Sequence, residues 1–395
     1  MYEIKMDMIQ TIGLAVVILI VGSFIKKKVK FFENYCIPAP VIGGFIFAAI
    51  HILLHECNIL SFNFDAVLQK FFMTIFFTSI GFNASLKLLK SGGKKVVIFL
   101  ITAIVLLILQ NIVAVGIGKL LDVNPLLSLL TGSTAMTGGH GTSAAIAPLV
   151  EKMGVSGAQT VAIAAATFGL VAGSSLGGPI SRFMIKRRNI KIISQKDNIE
   201  ENSTDLKSTL LSGDNFAKAF FIILISMFIG SYLSDFINQY LNFPSYIGAM
   251  IIAAIIRNIS DNSKLDIHYQ EIRVIEEVSL NLFLGMAMMT LKLWELSGIA
   301  GSLVILLVAQ AILTSLYAYF VTYKAMGSNY DAAVIAAGHI GFGLGATPNG
   351  IANMQSVCNK YEYSKVAFFV MPIVGALFID FFNVSIISGF ITFLS

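Results

Sequence analysis

Ten long apolar segments constrain the fold of this 395-residue chain more than any other feature. A helix of about twenty residues crosses the hydrocarbon layer of a bilayer, and most of the segments are close to that length. They lie near residues 8–25, 38–55, 66–83, 95–119, 158–182, 215–239, 244–259, 274–291, 299–323 and 365–392. We therefore predict an all-α polytopic membrane protein with ten transmembrane helices.

The scarcity of charge supports this prediction. Charged residues make up 12% of the chain, whereas a soluble domain has about 25%. So few charges cannot cover the surface of a soluble protein of this size, and lipid must cover much of it. We expect no nucleic-acid partner, although the net charge is +5. The three cysteines have no paired spacing and predict neither a disulfide framework nor a metal or redox site.

The basic residues predict the orientation of the chain. If the N-terminus lies outside, all but five of the 27 lysines and arginines fall on the cytoplasmic side, where short basic loops are retained. The five exceptions are Lys5, Lys70, Lys119, Lys152 and Lys292. Both termini are then outside. The polar stretch 186–214 becomes a cytoplasmic linker between a first half, 1–185, and a second half, 215–395.

The two halves align at an offset of 205 residues. Residues 42–50 match residues 247–255 at six of nine positions, and the same register pairs Asn124 with Asn329 and Lys87 with Lys292. Each half carries five predicted spans, and this odd number makes the second half enter the membrane in the opposite sense. The sequence thus predicts two inverted five-helix repeats, an architecture typical of secondary transporters.

Each half also contains a glycine-rich segment, 125–150 and 331–357, in which helix propensity is poor. We predict that each forms a re-entrant hairpin of two half-helices with a broken tip. Unwound backbone at membrane depth is tolerated only beside protein or a water-filled cavity. Its N–H groups and the following helix N-terminus favour a carboxylate, while its carbonyls and hydroxyls suit Na⁺. The alternative is that these glycines only allow close helix packing.

The predicted tips supply the candidate substrate-binding residues. From the first hairpin these are Thr137, Gly138, Gly139, His140, Gly141 and Thr142. From the second they are Gly343, Gly345, Ala346, Thr347 and Pro348. We expect the two tips to meet near the membrane midplane. The histidines His140 and His339 either donate to a substrate carboxylate or fasten a tip to a neighbouring helix.

Several motifs resemble those of the bacterial sodium/glutamate symporter family. They lie at residues 138–142, 166–171, 291–296, 329–334, 338–348 and 351–355. The likeness extends over essentially the whole chain, and the central linker is its weakest part. The resemblance implies re-entrant loops, Na⁺-coupled uptake of L-glutamate and a homodimer in the inner membrane. Na⁺ would be the coupling ion, and we expect no cofactor.

Polar residues inside the spans are candidate Na⁺ ligands, because such residues are costly in a membrane. Asp380 lies in the last span with no basic residue within a turn, and Asn383 follows three residues later. Asp380 is either a Na⁺ ligand, a protonated or hydrogen-bonded structural residue, or a proton-coupling group. The other candidates are Ser79, Asn83, Asn281 and Asn353, for which hydrogen bonds between helices are the alternative. We expect Gln110 and Asn111 to form such interhelical bonds.

A glutamate carrier also needs a partner for the side-chain carboxylate of its substrate. Arg257 ends the seventh span outside the obvious cytoplasmic clusters and is the candidate, although it could instead be one more orientation-setting charge.

Other functions remain open: a carrier of another carboxylate such as citrate, a Na⁺/H⁺ exchanger, or a channel. An enzyme is not expected, because the sequence has neither a metalloprotease motif nor a convincing catalytic dyad.

Overall fold

The computed structural model describes residues 2–34, 37–57, 59–91, 93–190, 212–238, 246–263, 267–291 and 300–395. The central linker from residue 191 to 211 and the 292–296 part of one motif, with Lys292, lie outside these residues. The described chain is built mainly of helices. It also has two short parallel strands, β1 (Tyr2–Met6) and β2 (Leu60–Phe64), which the all-α prediction did not include.

Nine helices and one π-helical turn make up the described part of the first half. The helices are α1 (Met8–Lys28), α2 (Lys30–Asn34), α3 (Ala39–Glu56), α4 (Val67–Asn83), α5 (Leu86–Ser91), α6 (Gly93–Leu120), α7 (Pro125–Leu129), α8 (Gly139–Lys152) and α9 (Ala158–Arg187). The π-helical turn Leu130–Thr134 follows α7. The sequence explains where α7 begins: the Asn124 side chain accepts hydrogen bonds from the first free backbone N–H groups, and Pro125 fits the first helical turn.

The described part of the second half repeats much of this order. Its helices are α10 (Gly213–Ile237), α11 (Tyr246–Ser260), α12 (Tyr269–Met289), α13 (Ala300–Tyr317), α14 (Tyr323–Ala325), α15 (Tyr330–Leu344), α16 (Thr347–Cys358), α17 (Lys365–Leu377) and α18 (Ile379–Leu394). A π-helical turn, Ala318–Thr322, joins α13 to α14. Asn329 caps α15 by accepting from the backbone N–H of Ala332. The aligned Asn124 and Asn329 thus have the same local role.

A helix lies over each of the ten predicted spans, but fewer are long and apolar enough to cross a membrane alone. Within the described residues, α1, α6, α9, α10 and the helix from α13 to α14 meet that test. The pair α17 and α18, bent by 44°, would be a sixth span. Helices α3 and α11 are apolar but shorter. The count of ten transmembrane helices therefore stays a prediction.

The helices form two bundles. Helices α1, α3, α4, α10, α11 and α12 pack on one another and are called the scaffold bundle. Helices α6–α9 and α13–α18 pack together as the hairpin bundle. The main contacts between the bundles are those of α8 with α12 and of α17 and α18 with α4. A seam between two bundles is a common place for a ligand cavity.

Aligned glycines allow close packing in both halves of the scaffold bundle. Gly43 on α3 faces α1, where a Cβ would overlap the Ile18 carbonyl oxygen. Gly248 on α11 faces α10, where a Cβ would overlap the Gly230 carbonyl oxygen. Small residues let membrane helices approach until their backbones touch. The 205-residue register therefore pairs residues that pack in the same way.

Candidate functional site

The first glycine-rich segment is broken as predicted. Helix α7 passes into the π-helical turn, where Gly132 has the non-helical angles φ −81° and ψ −139°. A turn follows, and α8 begins at Gly139, whose φ is +59°. That angle lies in the left-handed region, which glycine adopts without strain. Residues 135–139 are the first tip.

The second glycine-rich segment is broken at Gly345 and Ala346. Helix α15 ends at Leu344, Ala346 is extended, and α16 begins at Thr347 with Pro348 in its first turn. Proline there removes no helical hydrogen bond and fixes a helical φ. The Thr347 hydroxyl donates to the carbonyl oxygen of Gly375 at 2.6 Å and so joins the break to α17. Residues 343–348 are the second tip.

The two tips meet, as the sequence predicted, and Gln110 on α6 joins them. The Gln110 amide donates to the carbonyl oxygen of Gly343 at 2.7 Å and accepts from the Thr137 hydroxyl at 3.0 Å. The Thr137 hydroxyl also lies 3.3 Å from the Gly343 carbonyl oxygen. Gln310 on α13 donates to the Gln110 backbone at 2.8 Å. The expected interhelical role of Gln110 is thus confirmed, and its partners include both tips.

A cavity of about 310 Å³ lies where the tips face the scaffold bundle and is called the tip cavity. Both tips and the first residues of α8 and α16 line it. From the hairpin bundle the lining residues are Thr137, Gly138, Gly139, His140, Gly141, Leu170, Phe342, Gly345, Ala346, Thr347, Pro348, Gly375, Ala376, Ile379 and Asp380. The scaffold bundle contributes Pro38, Phe76, Glu276, Leu280 and Leu284. Most of the predicted tip residues therefore share one cavity.

Two carboxylates are the charged side chains of this lining: Glu276 on α12 and Asp380 on α18. The lining described here includes no lysine or arginine. The amide of Asn83 lies 3.4 Å from the Glu276 carboxylate, which brings a predicted Na⁺ ligand next to the cavity wall. Sequence reasoning missed Glu276, because it stands among other charges at the beginning of a span. Its helical spacing with Leu280 and Leu284, which also face the cavity, was the available signal.

The sequence predicted that Asp380 lies well inside one continuous last span, but the structure shows a break beside it. The span is broken at Phe378, whose φ and ψ are −120° and −36°, and Asp380 lies in the first turn of α18. The bend turns this carboxylate toward the cavity between the tips and α12. The i, i+3 neighbour Asn383 is fully buried and instead donates to the carbonyl oxygen of Ser133 at 3.1 Å.

The two histidines have different surroundings. His140 lines the tip cavity, and its Nε2 lies 2.9 Å from the hydroxyl of Thr167 on α9. The Nδ1 of His339 lies 2.8 Å from the hydroxyl of Thr322, and its ring stacks on the lining residue Phe342, but His339 is not itself in the described cavity lining. Only His140 of the two is therefore placed to touch a molecule in the cavity.

Three further Na⁺ candidates lie outside the cavity lining. The Ser79 hydroxyl donates to the Ile75 carbonyl in its own helix at 3.0 Å. The Asn353 amide donates to the carbonyl oxygen of Gly173 on α9 at 2.7 Å. Asn281 lies half-buried on α12. Thr142 and Gly343, predicted at the tips, are also absent from the described lining.

Arg257 lies on the scaffold bundle, in the last turn of α11. Its guanidinium pairs with the Asp261 carboxylate at 3.1 Å and donates to the carbonyl oxygen of Phe82 at 3.1 Å. The ring of Tyr269 lies 3.9 Å from the guanidinium carbon. These contacts join α4, α11 and α12. The structure therefore does not bring Arg257 to the tip cavity.

The chemistry of the tip cavity suits a small polar molecule and a hard cation. Carboxylate, hydroxyl and carbonyl oxygens are the ligands that cations of this kind prefer. Among the described residues, no group of three or more His, Cys, Asp and Glu is placed to hold a metal ion. A larger cavity of about 760 Å³ lies between α5, α11 and α18, but its lining is mainly apolar.

Comparison with known proteins finds matches over nearly the whole chain. The chain matches the profile of the family described as Sodium/glutamate symporter over residues 4–363. It is 38% identical to the sodium/glutamate symporter of Haemophilus influenzae over 385 residues, which are 96% of this chain and 95% of that protein. It is also 38% identical to the sodium/glutamate symporter of Escherichia coli over 395 residues, with 97% and 96% of the two chains covered.

A solved structure of a sodium proton antiporter from Methanocaldococcus jannaschii covers 98% of both chains at 14% identity, with a TM-score of 0.43. The family profile and the two curated relatives each span nearly the whole chain. The chain therefore belongs to the sodium/glutamate symporter family.

Proposed function

We propose that this chain is a secondary active transporter that takes up L-glutamate together with Na⁺ across the bacterial inner membrane. The curated relatives carry this activity in their names and match the chain over nearly its full length. The observation that carries the proposal is the tip cavity, in which two helix N-termini and two carboxylates face one shared volume. Such a site binds and releases a solute, and we propose transport and not catalysis.

The first turns of α8 and α16 would bind the carboxylates of glutamate. Both begin in the cavity wall, at Gly139 and Thr347, and a helix N-terminus presents backbone N–H groups and a partial positive charge. His140 adds a ring on the same wall. These groups would replace the arginine that the sequence suggested for the side-chain carboxylate, because Arg257 pairs with Asp261.

The two cavity carboxylates would couple glutamate to Na⁺. Glutamate carries a net negative charge, and Glu276 and Asp380 would repel it inside a cavity whose described lining has no lysine or arginine. A Na⁺ ion beside Asp380, with Glu276 and the Asn83 amide oxygen nearby, lowers that repulsion. Each solute then raises the affinity of the site for the other, which is the linkage that symport requires.

Alternating access would come from movement of the hairpin bundle against the scaffold bundle. The cavity lies on the seam between the two, where direct contacts are few.

We further propose ten spans in two inverted five-helix repeats with re-entrant hairpins, both termini outside and the linker cytoplasmic. The aligned caps Asn124 and Asn329 and the aligned glycines Gly43 and Gly248 support the repeat. A homodimer would form through the scaffold bundle.

Uptake by the purified full-length protein in proteoliposomes tests this function. Radiolabelled L-glutamate should accumulate when Na⁺ is high outside, and it should not accumulate when choline replaces Na⁺ on both sides. Excess unlabelled glutamate should compete, whereas excess citrate should not. Preloaded unlabelled glutamate should drive counterflow of the label, which a carrier supports and a channel does not. Glutamate uptake that is indifferent to Na⁺ would contradict the proposal.

A further inference from the structure

Several buried oxygen atoms behind the first tip lack a hydrogen-bond partner among the described residues. They are the hydroxyl oxygens of Ser133 and Thr134 and the side-chain carbonyl oxygen of Asn383. All three residues are 0% exposed. A buried polar group without a partner destabilises the folded state, so native proteins rarely leave several together. An occupant that accepts lone pairs would remove this cost.

The three residues are held around one short piece of backbone. Asn383 on α18 donates to the carbonyl oxygen of Ser133 at 3.1 Å. The unpartnered oxygen of the same side-chain amide therefore lies close to Ser133. From the other side, Asn111 on α6 accepts from the backbone N–H of Ser133 at 2.9 Å. Thr134 is the next residue of the same π-helical turn. Two asparagines thus fix the position of this turn, and π-helical turns are frequent at functional sites.

The unpartnered atoms of Ser133, Thr134 and Asn383 are oxygens with free lone pairs, and this points to a cation. The carbonyl oxygen of Thr134 adds a further acceptor, since its hydrogen bond from the Ser143 hydroxyl is long, at 3.5 Å. Asn111 is a positioning residue here and not a ligand, because its unpartnered atom is the Nδ2 donor. Unwound backbone at the end of a half-helix, with neutral oxygens around it, is the environment in which transporters bind Na⁺.

We propose that the side-chain oxygens of Ser133, Thr134 and Asn383 form a second Na⁺ site, separate from the tip cavity. The inference rests on the proposed Na⁺-coupled transport and adds a place for a further coupling ion. The site contains no carboxylate, and cation sites with few charged ligands bind weakly. Weak binding suits an ion that must be released where Na⁺ is scarce.

This site is linked to the first tip by a shared carbonyl group. The Ser133 carbonyl oxygen accepts from Asn383 and also from the backbone N–H of Gly138, at 2.9 Å. Gly138 lines the tip cavity. An ion drawn to the oxygens around Ser133 therefore holds the backbone that shapes the substrate site. Occupancy of the buried site would favour the tip conformation that binds glutamate, which couples the two events.

Na⁺-dependent thermal stabilisation of the purified full-length protein tests the site without using transport. NaCl is titrated without glutamate, and choline chloride keeps the ionic strength constant. The wild type should be stabilised by Na⁺. The variants Ser133→Ala and Thr134→Val should each need about tenfold more Na⁺ for half the effect, a size typical for altered metal environments. In choline alone they should unfold no earlier than the wild type, because each loses an unpartnered hydroxyl.

Two controls separate ion binding from a general effect on packing. Ser388→Ala removes a different fully buried hydroxyl, which lies on α18 and already donates to the Val384 carbonyl oxygen at 2.8 Å. The Na⁺ curve of this variant should match the wild type. Thr134→Ser keeps the oxygen and should also match it. Repeating the titration with Asp380→Asn shows whether the Ser133→Ala effect persists when the cavity carboxylate is absent, as two separate sites require.

A wild-type Na⁺ curve for both Ser133→Ala and Thr134→Val would overturn the proposal and show that these atoms hold a water molecule. Absence of any Na⁺ stabilisation in the wild type would overturn it as well. These outcomes differ from failure of the proposed function, which would appear as glutamate uptake that does not depend on Na⁺. Na⁺-dependent uptake together with unchanged Na⁺ curves would leave the symport proposal in place and remove only the second site.

Discussion

Replacing Asp380 by asparagine removes one of the two negative charges of the tip cavity and barely changes the volume of the side chain. In our account this carboxylate attracts Na⁺, and the ion in turn allows the anionic substrate to bind. Asp380→Asn should therefore raise the Na⁺ concentration needed for half-maximal uptake. It should affect the apparent affinity for glutamate less when Na⁺ is saturating.

The size of the cavity sets the expected magnitude. A sphere of about 310 Å³ has a radius near 4 Å, so an ion at its centre lies about 5 Å from a carboxylate in the wall. Two unit charges at that distance interact by about 3 kcal/mol at an effective dielectric constant of about 20. That energy corresponds to a change in affinity of about 100-fold. Glu276 remains in the variant, so we expect a rise in half-saturating Na⁺ of about 10- to 100-fold.

The assay is uptake of labelled glutamate into proteoliposomes over a range of external Na⁺, with choline as the replacement. Asp331→Asn is the matched control, because Asp331 also lies in the first turn of its helix but accepts from Ser364 at 2.6 Å, away from the cavity. The control should keep the wild-type Na⁺ dependence. A half-saturating Na⁺ for Asp380→Asn within about twofold of the wild type would refute the electrostatic reasoning.

The remaining predictions concern contacts of the tips. Gly139→Leu should abolish uptake without changing the amount of protein in the membrane, because Gly139 has a φ of +59° and a Cβ there would lie 3.4 Å from the Gly345 carbonyl oxygen. Thr347→Val should do the same and Thr347→Ser should not, and normal uptake by both disruptive variants, measured beside immunoblots, would contradict the tip placement. Gln110→Leu should lower the free energy of unfolding by about 1 to 3 kcal/mol, since the side-chain hydrogen bonds to Thr137, Thr314 and Gly343 are lost. Differential scanning fluorimetry at a fixed detergent concentration measures this through the unfolding midpoint, and an unchanged midpoint would show that Gln110 does not hold the tips together.

Much of the framework could be predicted from local sequence signals. Glycine and proline lower helix propensity wherever they occur, so both helix breaks are visible in the sequence. Asn124 and Asn329 stand at equivalent positions, and both cap the helix that leads into a tip. The motifs that resemble the symporter family also cover these breaks, and the family is confirmed by the curated relatives.

The direction of single side chains could not be predicted from spacing alone. Asp380 and Asn383 are three residues apart, which leaves them about 60° apart around a helix. That angle is enough for one to face the cavity and the other to contact Ser133. The break at Phe378 is also not signalled by a glycine or proline at the break itself.

The positions of Glu276 and Arg257 are set by contacts with other residues, remote in sequence for Glu276 and nearby for Arg257. Glu276 faces the cavity only because α12 packs against α4 and α8, a contact that the sequence does not reveal. Arg257 is different, since Asp261 follows it by four residues, the spacing of an ion pair on a helix. That signal was present in the sequence and favoured the structural role over substrate binding.

A structure of the full-length protein in Na⁺ and L-glutamate, determined by cryo-electron microscopy in lipid nanodiscs, tests the central claim most directly. The account predicts glutamate in the tip cavity, with its carboxylates at the first turns of α8 and α16. Glutamate bound beside Arg257, or in the larger apolar cavity between α5, α11 and α18, would contradict the assignment of the substrate site to the two tips.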